Sequence, residues 1–160
     1  MFGILLVAGL TLRHEPVKAQ ATSYLIDVSV FQGDPLGSRA EGNVKWLTEA
    51  RVVVQAGRPA FFQSGRQVSA GDTVVDCGVR VRLTPSPGPE GTIRVVAEFT
   101  QSEPSPGLGI LAQGKLFPGF TEQSLRTNLE MKPGMKARQR IAARSATDQT
   151  WAEVTVRPVE

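Results

Sequence analysis

The sequence predicts a mainly β fold, an antiparallel, sandwich-like sheet arrangement with no more than short helical turns. Three observations carry that expectation. Several runs alternate apolar and polar residues with a period of two, the pattern of half-buried strands. The 160 residues include 16 glycines and 11 prolines, which punctuate the chain too often for long helices. Turn-forming clusters fall where the alternating runs stop.

The first 21 residues read as an address. Phe2 to Leu12 is an apolar run of 11 residues, about half of the roughly 20 needed to span a bilayer as a helix. It matches the apolar region of a secretory signal, and Ala19-Gln20-Ala21 offers the small residues a signal peptidase reads. Cleavage after Ala21 would leave residues 22–160 as one β-rich domain and send it out of the cytoplasm, to the periplasm or the outer membrane. No positive charge precedes the run, so a retained anchor and a buried N-terminal strand are the competing readings.

Tyr24 to Phe31 alternates Tyr24, Ile26, Val28 and Val30 against Leu25, Asp27, Ser29 and Phe31, and is expected to be a strand. Gln32 to Ser38 is turn chemistry. Val44 to Ala50 fits either a helical turn or a strand. Arg51 to Gln55 and Ala60 to Gln63 are expected to pair across a hairpin turn at Ala56-Gly57-Arg58-Pro59. The clearest hairpin joins Val79, Val81 and Leu83 to Ile93, Val95, Ala97 and Phe99. Pro85 to Gly91, with three prolines and two glycines, should interrupt the ladder between them. Residues 101–120 read as a long, mobile, Pro/Gly-rich loop. Three further strands are expected over Ser124 to Met131, Ala137 to Arg144 and Gln149 to Arg157.

Composition and motifs point away from catalysis. The only histidine is His14, inside the expected signal, so the mature chain offers no Ser-His-Asp or Cys-His set. With Cys77 its one cysteine, it lacks a zinc ligand set and an intramolecular disulfide, and Cys77 reads as a small buried core residue. No glycine-rich phosphate or dinucleotide loop is present. No cofactor and no metal are expected. The carboxylates Asp72, Asp76, Glu90, Glu98 and Glu103 show no spacing that sets two across a cleft, which leaves a paired-carboxylate hydrolase the poorest reading. The net charge of +3 is modest. Lys132, Lys136, Arg138, Arg140 and Arg144 read as a solvated face rather than a polyanion site, and no nucleic-acid partner is expected.

From Ala50 onward, four stretches in order carry a resemblance. They are Val52-Val53-Val54-Gln55-Ala56-Gly57-Arg58-Pro59-Ala60-Phe61-Phe62-Gln63-Ser64-Gly65, then Gly78-Val79-Arg80-Val81-Arg82-Leu83-Thr84-Pro85, then Gly91 to Ser102, and last Leu125 to Met135 with Pro133-Gly134. Their order and spacing resemble the core of the bacterial outer-membrane secretins, the channel proteins of type II and type III secretion and of type IV pili. The second stretch is similar to that family's "G-[VI]-x-L-x-[VI]-x-P" strand. The resemblance covers residues 50–157. It departs at Arg66 to Cys77, which is too short for two membrane-crossing strands of about 9–11 residues and a turn, and at Arg140 to Ser145, where the family's closing Gly-Leu is absent.

The resemblance implies a reduced, secretin-like module that keeps the β-core and lacks the membrane part. Its expected function is non-enzymatic, structural and assembling, in protein-secretion or pilus-type machinery, with a protein partner or further copies of itself. Arg80, Arg82, Arg94 and Glu98 are the candidate interface, as a strand-edge set that either guards against wrong pairing or sets register between subunits. The alternative is a soluble periplasmic binding module that uses loop 101–120 to recognise a protein or glycan.

Overall fold

The structure, a computed structural model, describes residues 22–33, 44–70, 73–112, 115–143 and 149–159. The N-terminal segment 1–21 with its cleavage site and His14, and also Asp72 and Arg144, lie outside them.

Among the described residues eight strands follow one another: β1 (Ser23–Gln32), β2 (Lys45–Gln55), β3 (Ala60–Ala70), β4 (Thr73–Pro87), β5 (Ile93–Ala112), β6 (Lys115–Met131), β7 (Lys136–Ala143) and β8 (Gln149–Pro158). A 3₁₀ turn, Pro89–Gly91, lies between β4 and β5. The strands form two antiparallel sheets of four, in the orders β2-β1-β8-β7 and β3-β4-β5-β6. The fold class is as the alternation predicts.

Alternation puts one side of each strand inside. Tyr24, Ile26, Val28 and Val30 of β1 and Ala152, Val154 and Val156 of β8 line the first sheet's inner face. Val79, Val81 and Leu83 of β4 and Ile93, Val95, Ala97 and Phe99 of β5 line the second, with Leu129 and Met131 of β6 beside them. The two faces bury each other in one core, and each fully buried Val, Leu, Ile or Phe contributes about 1.5–3 kcal/mol. Cys77 is also buried.

Of the two readings of Val44 to Ala50 the strand holds, since Lys45 onward belongs to β2. Three expectations need correction. The strands β2 and β3 do not pair: β2 lies against β1, β3 against β4, and Ala56 to Pro59 carries the chain from one sheet to the other. There the Gly57 amide donates to the carbonyl of Pro85 at 2.7 Å, tying the crossing to β4.

The prolines at 85 and 87 do not interrupt the ladder. Pro85 pairs with Val95 and Pro87 with Ile93. β3 ends its pairing with β4 at Ala60 and Leu83, so among the described residues no strand beyond Leu83 needs an N–H from the other side of β4. The same physics overturns the loop at 101–120. Residues 101–112 continue β5, and 115–120 open β6. β4 stops pairing with β5 at Gly78 and Ser102, leaving Pro104 free to lie in the ladder opposite Phe120. The hairpin β5–β6 therefore extends past the sandwich.

A second hairpin extends in the same way. Gly65 and Gly78 face each other in register across β3 and β4. A Cβ on Gly65 would lie 1.9 Å from the carbonyl oxygen of Cys77, and one on Gly78 would lie 2.2 Å from that of Ser64. The two backbones approach each other there as closely as only glycine allows.

Candidate functional site

The four residues singled out from sequence all lie on the second sheet, but not at its edge. Arg80 and Arg82 are on β4, and Arg94 and Glu98 on β5, the two interior strands. The strand-edge placement is thus corrected. They lie on the outward face because Val79, Val81, Leu83, Val95 and Phe99 occupy the inward one.

On that face the strands bring them into rows. Phe61, Arg82, Glu98 and Arg126 stand opposite one another across β3, β4, β5 and β6. The guanidinium carbon of Arg82 sits 5.4 Å from the centre of the Phe61 ring. Glu98 takes Arg82 at 3.7 Å on one side and Arg126 at 3.4 Å on the other. A parallel row joins Arg94 to Glu130 at 3.6 Å. Each such ion pair contributes about 0.2–1 kcal/mol in water, and the cation–π contact about 0.5–1 kcal/mol. Their value lies in fixing side-chain positions along the row. Arg80 stands between Gln63 and Thr100 and lines, with Phe61, Arg82 and Glu98, an open groove of about 430 Å³.

Phe61, Arg126 and Glu130 were not singled out from sequence. A period-two pattern shows which side of a strand faces out, and only the strand order shows that Phe61 and Arg126 end the same row.

Three of the four edge strands, β2, β6 and β7, carry charge. β7, an edge of the first sheet, turns Lys136, Arg138 and Arg140 outward, and β2 carries Lys45, Glu49 and Arg51. Charge on an edge strand opposes pairing with another strand. Lys136 and Arg138 also hold the carboxylate of Glu153, each at 2.8 Å. Burial pushes that carboxyl up, yet the bonds from Lys136 and Arg138 outweigh it and hold Glu153 below the ordinary glutamate value of 4.5.

β3 is different. Ala60 to Gly65 holds no charged residue, and Phe61 is 72% exposed. The opposite edge is β6, where Arg126 has 75% of its side chain exposed. Every step from β3 to β6 is antiparallel. With four strands, an even number, the two edges therefore run in opposite directions.

Among the described residues no group of three or more His, Cys, Asp and Glu could hold a metal ion, and no helix is long and apolar enough to cross a membrane.

No protein-family model matches the chain, and no curated protein matches it. Solved structures do. A chain of the Klebsiella pneumoniae type II secretion system outer membrane complex, which comprises PulD, PulS and the PulC HR domain, is similar over 89% of this chain at 8% identity, with a TM-score of 0.53. The type II secretin GspD of enteropathogenic Escherichia coli is similar over 89% at 12% identity, with a TM-score of 0.48. The Vibrio cholerae type IV competence pilus secretin PilQ is similar over 86% at 10% identity, with a TM-score of 0.47. The chain spans 41%, 70% and 58% of the lengths of those three chains. On the first of these likenesses, together with the two antiparallel sheets, the fold of this chain is secretin-like.

Proposed function

We propose that this protein is a non-enzymatic structural module of protein-secretion or pilus-type machinery, exported to the periplasm or the outer membrane, that assembles with copies of itself edge to edge. The observation that carries the reading is the pair of edges on the second sheet, β3 and β6, to which no further strand pairs among the described residues. They run antiparallel to each other, so β6 of one copy continues the sheet of the next without changing the pattern of pairing. The uncharged start of β3 leaves one edge of the second sheet open, whereas β6, like both edges of the first sheet, carries charge. The secretin-like fold supports the setting, since the similar structure with a TM-score of 0.53 comes from a type II secretion system outer membrane complex.

The test is the mass in solution of the chain from Thr22 onward, by light scattering after size exclusion, over a tenfold range of concentration. A defined oligomer is expected. A monomer at every concentration would refute self-assembly.

A further inference from the structure

Resting on that reading, the structure also assigns the register between copies. We infer that β3 and the β6 of the neighbouring copy pair with an offset of four residues, Gln63 standing opposite Asn128 and Phe62 opposite Leu129.

The zero point is set within one copy, where the row that starts at Phe61 ends at Arg126. Joining copies with no offset would place Arg126 opposite the next Phe61, and the strands would then run parallel to the axis of any closed ring. Closing a sheet into a barrel instead tilts its strands by roughly 35–45°. Four strands about 4.8 Å apart make each copy about 19 Å wide. A tilt of that size offsets successive copies by about 13–19 Å, or about four to six residues at about 3.4 Å each. Only an even offset keeps inward residues opposite inward ones.

Four alternatives remain, and the side chains choose among them. An offset of four toward the C-terminal end of β6 sets Phe62 opposite Leu129 and Ala60 opposite Met131. Leu129 and Met131 are core residues, and Ala60 and Phe62 pack against the same core. That core then continues from copy to copy. On the outward face Gln63 meets Asn128, amide to amide. The same offset in the other direction sets Phe62 opposite Thr121 and Ala60 opposite Gln123, which breaks the apolar layer with polar groups. An offset of six toward the C-terminal end carries Phe61 to Lys132, beyond the end of β6 at Met131. Six the other way sets Phe62 opposite Gly119, where there is no side chain to pack.

The register is read by crosslinking full-length protein in which Cys77→Ala removes the native thiol. Gln63→Cys is combined with Asn128→Cys, with Ser124→Cys (no offset) or with Phe120→Cys (four the other way). Each pair is oxidised and, in parallel, treated with a short bis-maleimide that tolerates imperfect disulfide geometry. The 63/128 pair is expected to give a ladder of covalent oligomers several-fold stronger than either comparator. A ladder from 63/124 or 63/120 in its place, on protein that light scattering shows to be oligomeric, overturns this register and leaves self-assembly standing. Oligomeric protein with no ladder from any of the three pairs also overturns this register. Monomeric protein removes both the assembly and its register.

Discussion

Replacing Gly78 by alanine should combine two costs, a strained backbone and a collision with β3. Gly78 has φ of 135°, a conformation that side chains rarely adopt, and such strain costs about 1–3 kcal/mol. Its new Cβ would also stand 2.2 Å from the Ser64 carbonyl oxygen and 2.5 Å from the Gly65 Cα. Both obstacles are backbone, so relief requires moving β3, an overpacking cost of about 1–3 kcal/mol more. Together these give a loss of about 4 kcal/mol. Gly134→Ala separates the two contributions, because its φ is 78° but nothing lies within 4 Å of the added Cβ. That variant should lose only about 1–2 kcal/mol. Urea unfolding of dilute protein reads both. At a slope of about 1–3 kcal/mol per molar, a loss near 4 kcal/mol moves the midpoint by more than about 1 M, with the slope unchanged. If Gly78→Ala is no less stable than Gly134→Ala, β3 and β4 do not approach each other as described, and the account of the projecting hairpin fails.

Two further outcomes follow from the ion pairs. A double-mutant cycle of Glu98→Gln and Arg126→Gln should return a coupling of about 0.2–1 kcal/mol that shrinks as salt is added; zero coupling at low salt would mean that the outward row is not formed. Glu153, held below its ordinary value in the folded state, contributes stability that is present in full above 4.5, the unfolded value, and is lost as pH falls through the folded one. Acid titration of stability should therefore show a limb that Glu153→Gln flattens, and an identical profile for the two proteins would refute the role given to Lys136 and Arg138.

Alternation made most of the strands legible, because burial of one face is written residue by residue in Tyr24 to Phe31, Val79 to Thr84 and Ile93 to Thr100. Neighbour identity is not written that way. Gln55 and Ala60 flank turn chemistry that serves a hairpin and a sheet crossing equally well, so the partners of β2 and β3 were misjudged. Proline misled for a related reason. Pro85, Pro87 and Pro104 are harmless where the strand beside them has already stopped, and that depends on the relative lengths of β3, β4 and β5. The candidate site shows the same division. Arg80, Arg82, Arg94 and Glu98 were legible as an outward charged set, but their place on interior strands, with Phe61 and Arg126 at the ends of the row, comes from strand order alone.

The order of strands also bears on how the chain is made. β1 pairs along its whole length with β8, Tyr24 opposite Pro158 and Gln32 opposite Thr150, while the second sheet is built entirely from the stretch between them. The first sheet therefore stays incomplete until Gln149 to Pro158 has been synthesised, and contacts so distant in sequence form slowly. Under the proposed export, that delay keeps the chain unfolded and threadable while it is passed across a membrane. The same dependence discriminates against fragments: a chain cut short before Gln149 leaves Ile26, Val28 and Val30 without their partners in β8, exposing apolar surface that quality-control proteases can recognise.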